Sequence, residues 1–305
     1  MFKNILKQSW QIIWRNPILW IFGLFSALIG GNELTLIINH IDRLSYNLYS
    51  LSRSYAWQLF PQFNNILKGQ INWLMIFFLI LGLIILFLLA IFSQIGLIVG
   101  VKHYQQKQKI NFKSLIKDSR PYFRSVLLIN LASLILIYLV FALISYPFAS
   151  WFLSSNHAGW LAVYFLLNLI IFLPLVLIIY LIVHFAIIDL VFNSNKINIS
   201  LVKAGLFLKK NWLKTFILIL ILGVIGLAFG LILVALGAFT STLLTSIATG
   251  LYQIKINLPF SVFVVLLWTI VFLFFILLEG IFYAFQNFVW TLFYLARRPT
   301  SPHGH

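Results

Sequence analysis

Long apolar runs separated by short basic segments are the feature that most constrains what this chain can fold into. The runs exceed the roughly 18 residues that mark a membrane-spanning helix. Of the 305 residues, 62% are hydrophobic and 9% are charged, whereas a soluble globule is about half apolar and about a quarter charged. Because lipid offers the backbone no hydrogen-bonding partner, the runs are predicted to be helices. The sequence therefore predicts an all-α membrane protein.

Six apolar segments predict six transmembrane helices in a single domain over residues 1–298. They cover residues 17–31, 71–101, 126–149, 160–191, 215–239 and 259–296. The second, fourth and sixth exceed a hydrocarbon core of ~30 Å at ~1.5 Å per residue, so they must tilt, break or protrude. Pro174 is a candidate break. Residues 32–70 are predicted to be helices on the outer surface, residues 240–258 a loop or a shallow re-entrant helix, and residues 299–305 a disordered tail.

The distribution of Lys and Arg predicts the orientation. The chain has 21 Lys and Arg against 5 Asp and Glu, a net charge of +16. All of these basic residues lie on one side of the predicted spans, except Arg43, Arg53, Lys68 and Lys255. The positive-inside rule makes the basic side cytoplasmic, with both termini there. The charge is expected to face anionic lipid headgroups. Nucleic acid is not an expected partner, because no basic groove with interleaved aromatic residues appears.

Three basic segments share one plan, an amphipathic stretch, a short break and then a spanning helix. They read FKNILKQSWQIIWRNPILWIFGLF from Phe2, NFKSLIKDSRPYFRSVLLINL from Asn111 and NISLVKAGLFLKKNWLKTFILIL from Asn198. Each predicts an interfacial elbow helix, held by apolar insertion and by attraction to anionic lipid. The predicted fold is three pseudo-repeated hairpins, each preceded by an elbow. The residues predicted to contact headgroups or a cytoplasmic partner are Lys3, Lys7, Arg15, Lys113, Lys117, Arg120, Arg124, Lys203, Lys209, Lys210 and Lys214.

Three stretches resemble a known superfamily: WRNPILWIFGLFSALIGG from Trp14, LVKAGLFLKKNWLKTF from Leu201 and WTLFYLAR from Trp290. They are similar to bacterial six-span proteins that include the glycerophosphodiesterase membrane domain and the YciC-like inner-membrane proteins. The resemblance covers nearly the whole chain and implies a six-span fold in the bacterial cytoplasmic membrane. It implies no phosphodiesterase activity, because in that architecture the phosphodiesterase is a separate soluble domain.

Polar residues inside apolar spans are costly, so each one is a candidate for function. The set expected to meet at similar depth on the cytoplasmic side is Glu279, Tyr283, Gln286, His184, Asp189, Gln94 and Asn130. One hypothesis is a polar cavity in which Glu279 and His184 bind a proton or a substrate. The favoured alternative is that long helices simply leave the bilayer there.

Catalytic and metal-binding patterns are not found in the sequence. There is no cysteine, and the HExxH, G-x-S-x-G and phosphate-loop motifs are missing. His184 and Asp189 are five residues apart, which turns them ~140° from each other on a helix, so neither a metal nor another cofactor is expected. Five acidic residues leave few acid–base pairs. An enzyme is therefore not expected.

Small residues recur at helical spacing on two of the predicted spans. They are Gly96 and Gly100 on the second span, and Gly223, Gly226, Gly230 and Gly237 on the fifth. Small residues let helix backbones approach closely, so they are predicted to be packing positions. A hinge for conformational change is the alternative.

The leading functional hypothesis is a non-enzymatic accessory or scaffold protein whose basic elbows engage anionic lipid or a cytoplasmic partner. The alternative is a transporter or permease, with or without a separate ATPase, that uses the polar cavity near Glu279. An intramembrane lipid-modifying enzyme is the third hypothesis.

Overall fold

The computed structural model describes residues 1–30, 73–155, 168–193, 196–253 and 259–297. Almost all of these residues are helical. The α-helices are α1 (Phe2–Arg15), α2 (Ile18–Gly30), α3 (Trp73–Gln105), α4 (Phe112–Ser155), α5 (Leu173–Asn193), α6 (Ile197–Gln253) and α7 (Pro259–Arg297). The predicted outer segment 32–70 and the tail 299–305 lie outside the described residues.

Five helices among the described residues are long and apolar enough to cross a membrane. Those stretches are Ile76–Gln105, Phe112–Leu143, Ile170–Asn193, Ile197–Thr240 and Thr269–Arg297. Large apolar side chains within these stretches are exposed, such as Leu143 at 74%, Leu227 at 72% and Leu231 at 70%. Lipid rather than water suits such a surface. The chain is thus all-helical where it is described and suited to a membrane, as predicted.

The first predicted span is seen only in part. Helix α2 has 13 residues, or about 20 Å, which is shorter than a bilayer core. The residues that follow it lie outside the described ranges. The count of six spans therefore stays a prediction.

Residues 240–253 extend α6 as a regular helix. Hydroxyl groups there bond back to carbonyl oxygens one turn earlier, Thr240 to Leu236 at 2.8 Å and Thr242 to Ala238 at 2.8 Å. Because these hydroxyls are paired inside the helix, they do not interrupt it. This part of the predicted loop or re-entrant segment is a continuation of the fifth predicted span, and residues 254–258 lie outside the described ranges.

The backbone leaves regular α-helical geometry at two predicted places, the candidate break at Pro174 and the join between the third elbow and its span. A π-helix, Asn168–Phe172, precedes Pro174, which spares the proline ring the clash with the carbonyl four residues earlier. In α6, Asn211 has non-helical angles of φ −117° and ψ 22°. This kink separates the third elbow from the spanning part.

The second elbow has no such break, which differs from the predicted plan. Helix α4 runs from Phe112 to Ser155 without interruption. The first and third elbows each end at an asparagine whose side-chain amide donates to the carbonyl four residues earlier, Asn16 to Ile12 at 2.7 Å and Asn211 to Phe207 at 3.2 Å. The second elbow carries Val126, and no asparagine, at its corresponding end.

The chain divides into two compact units, which are described separately. Unit 1 comprises residues 1–16, 95–219 and 285–305, and unit 2 comprises residues 17–94 and 220–284. In unit 2, α2 and α7 cross at two glycines. A Cβ placed on Gly23 would lie 2.0 Å from the carbonyl oxygen of Gly280, and one on Gly280 would lie 2.7 Å from the nitrogen of Leu24. Only glycine permits such an approach.

Unit 1 brings the basic ends of the helices together. The Lys102 ammonium donates to the carbonyl oxygen of Val191 at 3.0 Å, so the C-terminal ends of α3 and α5 meet. Ser200 and Tyr294 both donate to Asp189, which adds the start of α6 and the end of α7. Helices α3, α5 and α7 therefore run towards this end of unit 1, and α6 runs away from it.

Candidate functional site at the basic end of unit 1

Three elbow helices lie in unit 1, and their basic side chains are solvent-accessible. Elbow 1 is α1, elbow 2 is residues 112–125 of α4, and elbow 3 is residues 197–210 of α6. The exposed cations are Lys3, Lys7, Arg15, Lys113, Lys117, Arg120, Arg124, Lys203, Lys209 and Lys210, while Lys214 is half-buried. These are the residues predicted for contact with headgroups or a partner. Their exposure permits that contact without showing it.

The elbows bury corresponding positions. The buried side chains are Ile5, Ser9 and Ile12 in elbow 1, Leu115 and Ser119 in elbow 2, and Ser200, Ala204 and Phe207 in elbow 3. Positions i, i+4 and i+7 share one face of a helix. The hydroxyls of Ser9 and Ser119 are both buried without a hydrogen-bond partner in the described part of the chain. Each elbow thus packs against the protein through the same face.

Elbow 1 packs on the end of α7. Its Phe2 ring stacks on Phe293 at 6.2 Å between centroids, and its Trp10 ring meets Phe285 edge-on at 5.9 Å. Ile5 and Ile13 are buried within the protein, whereas the sequence predicts that the apolar face of each elbow inserts into lipid. Helix α7 thus supplies part of the apolar surface against which elbow 1 packs. Trp10 stacks on Trp14, and both remain about half exposed.

Asp189 ties three helices of unit 1 together. It is 2% exposed and accepts hydrogen bonds from Asn193 at 2.5 Å, Ser200 at 3.1 Å and Tyr294 at 3.1 Å. The partners were not singled out from the sequence, because Tyr294 lies on a different helix far along the chain. A buried carboxylate needs such donors. The arrangement makes Asp189 a structural tie of α5, α6 and α7.

His184 lies in an aromatic cluster of unit 1. The ring is 2% exposed, stacks on Tyr180 at 5.8 Å and meets Trp290 at 6.3 Å. Neither ring nitrogen has a hydrogen-bond partner among the described residues. An unpaired buried polar atom costs about 1–3 kcal/mol, so His184 is a costly residue at this position.

The other predicted cavity residues are divided between the two units. In unit 2, Glu279 and Gln94 are both buried, while Tyr283 is half-buried. In unit 1, Gln286 is half-buried, and Asn130 donates to the Val126 carbonyl of its own helix at 3.0 Å. Because His184 belongs to unit 1 and Glu279 to unit 2, their pairing stays a prediction.

A polar pocket of about 270 Å³ lies between the end of α3 and elbow 2. His103 in this pocket is almost fully buried and bonds to the half-exposed Asp118 at 2.8 Å. The Lys102 ammonium donates to the Tyr122 hydroxyl at 3.3 Å. Sequence reasoning missed this group, because His103 and Asp118 are 15 residues apart and only the fold brings them together. It holds elbow 2 against α3.

The surroundings of three of the six predicted packing glycines can be described. A Cβ on Gly223 or Gly230 would meet nothing within 4 Å, and one on Gly237 would meet the Phe275 ring at 3.9 Å. The described part of the chain thus supplies no close helix partner for the first two. Packing as the role of the six predicted glycines stays a prediction.

A metal site is not indicated, since the described residues hold no group of three metal-ligating His, Asp or Glu side chains. Comparison with known proteins gives no match to any protein-family model, curated protein or solved structure.

Proposed function

We propose that this chain is a non-enzymatic accessory or scaffold protein of the bacterial cytoplasmic membrane, with six spans and both termini in the cytoplasm. Its three elbow helices attach to anionic lipid headgroups and present a surface to a cytoplasmic partner. The observation that carries the proposal is the gathering of exposed cations on three elbows of unit 1. Each Lys or Arg near an anionic surface contributes about 1 kcal/mol.

The shared burial of the elbows supports a repeat. Sequence agrees with burial for the first two, since FKNILKQS from Phe2 and FKSLIKDS from Phe112 share phenylalanine, two lysines and serine at the same positions. We infer three copies of one hairpin with its elbow.

A second shared face supports attachment to lipid. Next to the buried face, each elbow carries half-buried apolar residues, Phe2 and Leu6 in elbow 1, Ile116 and Phe123 in elbow 2, and Ile197, Leu201 and Leu208 in elbow 3. A half-buried apolar face beside exposed cations suits the boundary between acyl chains and headgroups. We call it the lipid face.

The proposal is tested by neutralising cations on each side of the membrane. Lys209→Gln, Lys210→Gln and Lys214→Gln are combined in one variant. Arg43→Gln, Arg53→Gln and Lys68→Gln form the matched control on the opposite predicted side. The measurement is the thermal stability of each protein in nanodiscs that contain anionic or only zwitterionic phospholipid. We expect anionic lipid to stabilise the wild type and the control, and to stabilise the elbow variant less. Equal stabilisation of all three would contradict the proposal.

Transport is a second candidate, and one observation favours it. His184 lies within an apolar span, and both its ring nitrogens are buried without a partner among the described residues. Such a group suits a proton or a polar substrate. Vesicles reconstituted with the wild-type protein would show a flux of protons or of a polar substrate. This flux would be lost in both His184→Phe and Glu279→Gln. A wild-type protein without flux, or variants with full flux, would remove this candidate.

A further inference from the structure

Elbow 3 exposes an apolar stripe at positions where the other elbows carry no large apolar side chain. Ile199, Val202 and Leu206 are 46%, 62% and 63% exposed, and positions i, i+3 and i+7 lie on one helix face. This stripe lies on the side away from the buried residues Ser200 and Phe207. Three exposed apolar side chains on one face of a helix are a candidate binding surface.

The corresponding positions of the other elbows are polar or lack a large apolar side chain. They are Asn4, Lys7 and Gln11 in elbow 1, and Ser114, Lys117 and Pro121 in elbow 2. If three equivalent helices lie on one membrane surface, lipid meets the same face of each. A lipid cover would therefore favour apolar residues at these positions in all three. The stripe thus faces something that only elbow 3 meets.

Charge identifies the kind of partner. Lys203, Lys209 and Lys210 border the stripe and are exposed, and elbow 3 contains no acidic residue. A second copy of this chain, with a net charge of +16 and only five acids, has little to pair with them. An amphipathic helix with an apolar face and acidic flanks would bury the stripe and pair with the lysines.

We propose that the stripe of elbow 3 is the docking site for an acidic amphipathic helix of a different protein on the cytoplasmic side. This inference deepens the proposed function and rests on it, because it takes the elbows as equivalent and the basic side as cytoplasmic. The helix would lie along elbow 3, with its apolar face on Val202 and Leu206 and its carboxylates on the flanking lysines.

The first experiment separates a protein partner from lipid. The chain has no cysteine, so single substitutions can carry a fluorescent label. Leu206→Cys samples the stripe, Gln11→Cys the matched position of elbow 1, Leu208→Cys the lipid face and Leu227→Cys the bilayer. In vesicles of phosphatidylethanolamine and phosphatidylglycerol, brominated lipid quenches a label within the bilayer.

We expect strong quenching at Leu227→Cys, partial quenching at Leu208→Cys and little quenching at Leu206→Cys and Gln11→Cys. Quenching of Leu206→Cys as strong as that of Leu227→Cys would show that the bilayer covers the stripe, and would overturn the docking site alone. An unquenched Leu208→Cys would instead contradict the lipid face in the proposed function.

The second experiment tests the partner chemistry with a defined probe. The probe is a labelled synthetic helix of about 14 residues, which matches the length of elbow 3, with a leucine stripe and glutamate flanks. The control peptide has the same leucine stripe but lysine flanks, and thus the opposite charge. Binding to the protein in nanodiscs of zwitterionic lipid is measured by fluorescence anisotropy.

We expect the glutamate peptide to bind and the lysine peptide to bind at least about tenfold more weakly. Val202→Asn with Leu206→Asn should weaken binding of the glutamate peptide by about tenfold or more, because the buried apolar area is lost. Gln11→Asn, at the position of elbow 1 that corresponds to Leu206, is the matched control and should leave binding unchanged. Equal binding of both peptides, or unchanged binding by the stripe variant, would overturn the proposal.

Discussion

Replacing Gly23 by alanine should destabilise unit 2, because α2 and α7 touch there backbone to backbone. The added Cβ would lie 2.0 Å from the Gly280 carbonyl oxygen, 2.8 Å from its carbonyl carbon and 2.9 Å from the Ala284 Cβ. An ordinary contact is about 3.5 Å, so the helices must separate by more than about 1 Å. Neither neighbour is the tip of a flexible side chain, so nothing can rotate away.

The magnitude follows from two opposing effects. Overpacking of this kind costs about 1–3 kcal/mol, and a clash with backbone belongs at the upper end of that range. Alanine is favoured over glycine in a helix by about 1 kcal/mol, which offsets part of the cost. The expected net loss in the free energy of unfolding is about 2 kcal/mol.

The assay is thermal or denaturant unfolding of the purified protein in one detergent. A loss of about 2 kcal/mol should lower Tm by several degrees. Gly223→Ala is the matched control, since a Cβ there meets nothing within 4 Å, and it should be neutral or slightly stabilising. Unchanged stability in Gly23→Ala, or the same shift in both variants, would refute the contact between α2 and α7.

Three further predictions follow from single observations. Lys107 has φ 56° at the end of α3, where the amides of Lys107 and Gln108 donate to the carbonyls of Tyr104 and His103. Because glycine suits this left-handed position, Lys107→Gly should stabilise the protein by up to about 1 kcal/mol in the same unfolding assay. Lys107→Val should destabilise it. Tyr294→Phe removes a hydrogen bond to the buried Asp189 carboxylate and should lower the free energy of unfolding by about 1.5–3 kcal/mol. A double-mutant cycle with Ser200→Ala should give a coupling energy different from zero. Strictly additive losses of stability would contradict the idea that Ser200 and Tyr294 act through the same carboxylate. Asp118→Asn weakens a bond to His103 at a half-exposed carboxylate and should cost no more than about 1 kcal/mol, so a larger loss on unfolding would show that the pair is better shielded from water than its exposure indicates.

Long-range geometry sets the limit of what the sequence predicts here. Apolar run length predicts the helices, and basic segments predict the elbows, because both are local properties of the chain. The contact of Gly23 with Gly280 joins two helices that are distant in the sequence. Each glycine has an alanine at i+4, Ala27 and Ala284, which is a small-xxx-small pattern, but that pattern does not say which helix packs against it. The bonds of Asp189 to Ser200 and Tyr294 likewise depend on how three helix ends meet. The glycine spacing on α6 was the stronger sequence signal, yet Gly223 and Gly230 face open space in the described part of the chain.

The burial of the elbows bears on the proposed attachment of the elbows to lipid headgroups. A free amphipathic helix gains affinity from its whole apolar face and from its charges. In elbow 1 the protein already covers Ile5, Ile12 and Ile13, so lipid can meet only the half-buried residues beside them and the exposed Trp10 and Trp14. Less apolar area is left to insert, and the cations supply a larger share of the attraction. Electrostatic attraction is screened within about 10 Å at 0.1 M salt, whereas apolar insertion is not screened in this way. If the elbows attach as proposed, salt would loosen them from the headgroups, while the apolar spans would keep the protein in the bilayer.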